Sequence, residues 1–244
     1  MATNPMHQFA VYRIGPEIKI AGADLSFTNA SLFMLLSALA ICGVLFLGTR
    51  DRKLIPNKMQ LISQIIYNFV AKMISDTAGT KAKPYFPFIF TLFMFVLFCN
   101  MLGMLPYSFT VTSHIIVTLL MAIFIFIAVT IIGFMKHGLG YLKLFVPSGV
   151  PIILLPLITI IEIISYLSRP VSLSVRLFAN MMAGHTMLKV FGGFVISLGM
   201  LGGWLPLGFS VALTGLEILV AFLQAYVFAI LTCIYLNDAL NLHH

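Results

Sequence analysis

Charge is what this chain has least of. Asp, Glu, Lys and Arg make up 9% of its 244 residues, whereas hydrophobic residues make up 61% and mean hydropathy is +1.08. A soluble domain of that composition would leave large apolar surfaces in water, so a soluble globular fold is excluded. Cysteine is also sparse: Cys42, Cys99 and Cys233 are scattered through apolar runs, which suggests neither a disulfide framework nor a ligand cluster. There is no glycine-rich phosphate loop, no internal repeat and no metal-type grouping of side chains. Residues 1–26 carry two basic and two acidic side chains and lack the basic-then-apolar pattern of a cleaved signal peptide.

What the chain has instead is long apolar runs, each continuous over about 20 residues rather than alternating in tens, which implies helices and not a barrel. The expected fold is an all-α integral membrane protein. It has five transmembrane helices, the last two long and strongly tilted, plus one amphipathic interfacial helix, all in a single membrane domain. Residues 27–47 form the first span. Residues 50–83 then hold seven basic and two acidic side chains, which by the positive-inside rule makes this segment cytoplasmic and puts the N-terminus outside. Within it, residues 57–77 place Met59, Ile62, Ile66, Phe69, Val70 and Met73 at helical spacing, an amphipathic helix on the inner membrane surface. Asn29 is read as the cap of the first span.

Residues 85–105 cross outward, Pro106 to Thr110 form an uncharged turn, and residues 112–134 cross back towards Lys136, His137 and Lys143. Residues 150–198 are apolar apart from Glu162, Arg169-Pro170, Arg176, His185 and Lys189. One helix of that length would run about 70 Å against a hydrocarbon core of about 30 Å, so it tilts strongly or bends at Pro170. The Gly/Pro-rich stretch Gly199 to Pro206 connects it to residues 207–242, which carry Glu217, Gln224 and Asp238 and end inside.

Arg176 is the residue that demands a reason. It cannot shed its proton, and a charge at bilayer depth costs at least about 2.5–3.5 kcal/mol. Ordered by depth, the polar residues fall into an outer set of Asn100, His114, His185 and Glu217 and an inner set of Glu162, Ser165 and Ser168, with Arg176 between them and Gln224 at mid-depth. Two half-paths meeting a fixed cation fit this better than one continuous proton wire. At 100° per residue, Ser172 and Asn180 lie about 40° from Arg176, Ala179 about 60°, Ala183 about 20° and His185 about 180°. Arg176 therefore projects from a face of small side chains, the kind that admits close approach of another helix. His185 turns the other way, towards the rest of the chain and Glu217.

The run Ser172-Leu-Ser-Val-Arg-Leu-Phe-Ala-Asn-Met-Met-Ala-Gly-His185, with Glu217, Leu223-Gln-Ala-Tyr-Val-Phe228 and Asn100-Met-Leu-Gly-Met-Leu-Pro106, resembles the subunit a family of F-type ATP synthases over nearly the whole chain. The resemblance implies a stator subunit that carries protons to and from a ring of c subunits, within a complex that also has peripheral-stalk b subunits. It implies that Arg176 is the essential arginine, that Asn180, His185, Glu217 and Gln224 belong to the outer half-channel or rotor interface, and that Glu162 and Ser165 belong to the inner one. Some family members carry the acid on the arginine helix and the histidine on the last helix; here the two are exchanged. No cofactor, metal or nucleic acid is implied, and membrane lipid is the surrounding partner. A bacterial plasma membrane is the expected location, and a mitochondrial inner membrane fits the same fold.

Other readings of the same residues stay open. Glu162 could pair with a cation such as Arg169, and His185 with Glu217 could be a structural contact. A secondary transporter also buries mid-depth charges, but it shows repeated halves and matching broken helices. A haem-binding electron carrier would need axial ligands, for which His114 and His185 are isolated candidates.

Overall fold

The computed structural model describes residues 9–15, 19–20, 23–24, 26–50, 55–105, 108–146 and 154–241. Asp51, Arg52 and Lys53 of the basic segment, Pro106 and Tyr107 of the turn, residues 150–153 of the long apolar run and the terminal residues 242–244 lie outside these, as does the side chain of Lys143.

Helices dominate. A two-residue hairpin, β1 (Lys19–Ile20) against β2 (Ala23–Asp24), precedes α1 (Asn29–Arg50), α2 (Lys58–Ala78), α3 (Phe86–Gly103), α4 (Ile115–His137), α5 (Leu155–Gly202) and α6 (Trp204–Leu240). Among the described residues, five segments, containing α1, α3, α4, α5 and α6, are long and apolar enough to cross a membrane. The membrane-length helices alternate in direction, with Phe33 of α1 against Phe109 of the α3–α4 connection, His137 of α4 against Leu240 of α6, and α5 paired antiparallel with α6, which defines two ends of the bundle. The basic end gathers Arg50, Lys58, Lys81, Lys83, Lys136 and His137; the loop end carries the α3–α4 connection and the start of α1.

Local chemistry sets the boundaries. The capping bond at the start of α1 comes from Thr28, whose Oγ1 accepts the Ser31 amide at 3.4 Å. Asn29, read above as that cap, adds a second capping bond, its Oδ1 accepting the Ala30 amide at 3.0 Å; the same oxygen accepts the Tyr12 amide and its amide nitrogen donates to the Ala10 carbonyl, tying the preceding segment to the helix. In α2 the apolar stripe buries only from Val70 onwards, with Met73, Ile74 and Ala78, while Met59 and Ile62 stay exposed. Phe69 packs its ring 5.7–5.8 Å from those of Phe93, Phe222 and Tyr226, anchoring α2 on α3 and α6.

The core sits on α6. Ala221, Ala225, Ala229 and Cys233 recur every fourth residue and are fully buried, as is Phe228. Lipid tails are as apolar as a protein interior, so helices in a membrane gain by close packing rather than by leaving water, and a stripe of small side chains provides that closeness. Asn100 of α3 uses it to reach the backbone of α6, donating to the Ala221 carbonyl at 3.2 Å.

At 48 residues, α5 is about 72 Å long and must be tilted in any ordinary bilayer. A bend at Pro170 was one way to fit it, but the chain runs through Pro170 as helix and departs from helical dihedrals at Gly199 (φ 61°, ψ −156°). Proline in a membrane helix is tolerated where neighbouring groups make good the lost hydrogen bond, whereas a backbone at positive φ calls for glycine. The tip is tight: a side chain on Gly203 would stand 2.6 Å from the Gly199 carbonyl oxygen and 2.8 Å from that of Val195. The connection expected over residues 199–206 is correspondingly short. α6 starts at Trp204 and takes Pro206 into its first turn, where a missing N–H leaves nothing unpaired.

Candidate functional site

Among the described residues, three side-chain polar contacts tie α5 to α6 in antiparallel order, nearly symmetric about the Gly199–Gly203 tip. From the loop end they are His185 with Glu217, Asn180 with Gln224, and Arg169 with Asp238. Arg176 lies between the second and third.

The loop-end cluster is enclosed. His185 Nδ1 lies 2.6 Å from Glu217 Oε1, and the two side chains are 10% and 4% exposed. Glu217 receives no well-directed hydrogen bond from the described residues at either oxygen. The carboxyl fits because residue 184 is glycine: a Cβ there would stand 2.6 Å from Glu217 Oε1 and 3.0 Å from its Cδ. On the far side of the imidazole, His185 Nε2 is 2.5 Å from Thr110 Oγ1 in the α3–α4 connection. Thr110 Oγ1 donates to the Gly103 carbonyl at 3.0 Å, and its own carbonyl accepts from Ser113 Oγ at 2.6 Å. Buried Thr112 donates to Asn100 Oδ1 at 2.8 Å, which fixes the Asn100 amide so that it donates to Ala221.

His114 stands apart from this chain of contacts. Its ring stacks on Phe109 at 4.9 Å, and its buried Nε2 has no hydrogen-bond partner among the described residues. Burial disfavours the charged ring and holds its pKa below the ordinary value of 6.5.

Midway along α5 the arginine face is open. Ser172, Arg176, Ala179, Asn180 and Ala183 are exposed, while Leu173, Ser174, Leu177 and Met181 on the opposite side are buried. Arg176 makes no hydrogen bond or ion pair with the described residues. Asn180 donates to Gln224 Oε1 at 3.0 Å, and Gln224 is itself buried, so the edge of this face is pinned to α6.

The expected inner residues have no such enclosure. Ser165 and Ser168 are exposed; Ser168 Oγ donates to the Ser165 carbonyl at 2.8 Å. Glu162 is half-buried and makes no ion pair with the described residues. The cation suggested for it, Arg169, is engaged elsewhere, with Asp238 Oδ2 at 3.1 Å and with its guanidinium over the rings of Tyr166 and Tyr235 at 5.5 and 5.0 Å. Tyr166 extends this cluster by hydrogen bonds to Thr130 (2.6 Å) and Tyr141 (3.0 Å).

The structure therefore places His185, Glu217, Asn180 and Gln224 along the α5–α6 seam, with Asn100 hydrogen-bonded to the α6 backbone between Glu217 and Gln224, and leaves His114, Glu162, Ser165 and Ser168 outside that set of contacts. Sequence reasoning missed Thr110, Thr112, Gly103 and Gly184, and gave Asp238 no partner. Thr110 carries no chemical mark in a loop 75 residues from His185. Gly184 was visible within the arginine motif, but only the fold shows what occupies the space of its missing side chain.

Comparison with known proteins bears on this arrangement. Residues 31–237 match the family model described as ATP synthase A chain. The chain is 80% identical to ATP synthase subunit a of Pelagibacter ubique (strain HTCC1062) over 244 residues, the full length of both. It is 59% identical over 250 residues to that of Chelativorans sp. (strain BNC1), again over both full lengths. Identity to that of Rhizobium rhizogenes is 60%, covering 99% of this chain and 98% of the relative.

Proposed function

The chain belongs to the ATP synthase A chain family, and from that premise we propose that it is the stator subunit through which protons reach and leave a rotating ring of c subunits. As a bacterial membrane protein of the ATP synthase complex it serves proton transport and ATP synthesis. The observation that carries the finer reading is the contrast on α5: an exposed Arg176 on a small-residue face, without an ion-pair partner among the described residues, nine residues from a nearly buried His185 against Glu217.

Electrostatics supplies the mechanism. A ring carboxylate facing lipid has to be protonated, because a charge there costs several kcal/mol. Beside Arg176 it can ionise, since a neighbouring cation stabilises the charged form. Each passing carboxylate gives up its proton on one side of Arg176 and takes one on the other, so rotation and proton flow are coupled. The fixed cation also bars direct transfer between the two half-paths. With the basic end cytoplasmic and the N-terminus outside, protons in the synthesis direction arrive through His185, Glu217, Asn100 and the Asn180–Gln224 pair. They leave along Glu162, Ser165 and Ser168. The membrane potential drives each step with about 2.3 kcal/mol per charge per 100 mV. The peripheral-stalk b subunits hold this chain against the turning ring.

The test is proton-driven ATP synthesis in inverted membrane vesicles. Arg176→Ala in a fully assembled complex is expected to lower the rate by at least about 100-fold, the scale of removing an electrostatic contact to the reacting group. A rate near wild type would refute the coupling role.

A further inference from the structure

We propose that Thr110 is a positioning residue that fixes which nitrogen of His185 carries the permanent proton, so that the one mobile proton of the site lies between His185 Nδ1 and Glu217. This deepens the reading above and rests on it for its functional meaning, although the tautomer itself follows from geometry alone.

Thr110 Oγ1 touches two groups, the Gly103 carbonyl oxygen at 3.0 Å and His185 Nε2 at 2.5 Å. A hydroxyl has one proton to donate, and a carbonyl oxygen can only accept. Both contacts are favourable only when the Thr110 hydroxyl donates to Gly103 and His185 Nε2–H donates to Thr110. With the hydroxyl turned to His185 instead, the two oxygens would face each other lone pair to lone pair. The geometry is built in at both ends. Gly103 has no side chain to hold Thr110 off, for a Cβ there would stand 2.7 Å from Thr110 Cγ2 and 3.0 Å from its Oγ1. The Thr110 carbonyl is held by Ser113 through both its backbone N–H (3.2 Å) and its side chain (2.6 Å). Thr110 is 4% exposed, so water has little access to compete for the hydroxyl.

If Nε2 holds its proton permanently, the nitrogen left to gain and lose one is Nδ1, which lies 2.6 Å from Glu217 Oε1 although the contact is not aligned as a hydrogen bond. At that separation a neutral imidazole nitrogen and a carboxylate oxygen repel, so the pair holds one proton, and it has two positions. On nitrogen it gives an imidazolium beside a carboxylate; on oxygen it gives a neutral imidazole beside a carboxylic acid. Passing from one to the other moves one proton and changes the charge of the pair by nothing, the property wanted of a relay inside a membrane. Gly184 completes the arrangement by leaving room for the carboxyl on the Nδ1 side.

The experiment is ¹⁵N magnetic resonance of the imidazole nitrogens in the assembled complex, labelled with ¹⁵N-histidine, the His185 signals being identified by their loss in His185→Gln. In the wild type the non-exchanging proton is expected on Nε2, with Nδ1 showing the exchanging one. Thr110→Ser retains the hydroxyl and keeps that pattern; Thr110→Val removes it and releases the ring to the Nδ1–H form. Passive proton conductance of the membrane sector is expected to fall by about tenfold in Thr110→Val and to recover in Thr110→Ser. A wild-type ring protonated on Nδ1 alone, or a pattern unchanged in Thr110→Val, overturns the assignment. The spectrum needs no proton flow, so the two claims fail separately. The predicted spectra together with unaltered ATP synthesis in His185→Ala would sink the relay reading and leave the tautomer assignment standing.

Discussion

The two halves of α5 carry polar side chains of similar chemistry in opposite surroundings. Towards the loop end, Glu217, Asn100 and Thr110 are buried and His185 is nearly so, all held by contacts within the one chain. Towards the basic end, Ser165, Ser168 and Arg176 lie on an open face and Glu162 is without a counter-charge among the described residues. The difference implies a division of labour under the proposed function: the chain builds one half-path by itself and supplies only one wall of the other, which a partner must close. It also explains where shape matters. A buried relay depends on glycines that clear space for a carboxyl, while an open wall depends on its charge and small side chains.

That contrast can be broken by substitution, with effects that should decline in order. Glu217→Gln preserves volume but cannot carry the relayed proton, and is expected to lower proton-driven ATP synthesis by about 100-fold or more, the range seen when an acid–base group is lost. Rate measurements in vesicles with normal complex content check this. Gly184→Ala comes next, at about tenfold on the same assay, because its Cβ would collide with Glu217. Gly193→Ala on the same helix is the control: a Cβ there meets nothing within 4 Å, and alanine favours the helix by about 0.5–1 kcal/mol, so activity should hold. Asp238→Asn, near the open half, weakens a partly exposed ion pair worth about 1 kcal/mol. It is expected to cost only a few degrees or less of thermal stability in the purified complex and a modest part of the rate.

Much of this arrangement was legible in the sequence wherever it depended on a single helix. The exposed face of Ser172, Arg176, Ala179, Asn180 and Ala183, and the opposite aim of His185, follow from the helical repeat, which a lone α-helix obeys whatever its neighbours do. Contacts between helices were harder. The partners of Arg169 and Asn180 depend on the register of α5 against α6, and that register is set at Gly199, where the chain adopts positive φ; reading residues 199–206 as one long connection hid it. Once the tip is known, Asp238, Gln224 and Glu217 fall opposite Arg169, Asn180 and His185 in turn. Thr110 could not be found this way, because a loop has no periodicity to aim its side chains.

The central claim, that two half-paths open to opposite sides of the membrane and are parted by Arg176, is most directly tested by solvent access. In a chain whose three native cysteines are replaced, Ser165→Cys and His185→Cys are placed one at a time, and silver ion is added to either side of sealed vesicles before alkylation of the remaining thiol. The prediction is that silver protects Cys at 165 only from the cytoplasmic side and Cys at 185 only from the opposite side. Protection of both from the same side, or of either from both sides, would contradict it.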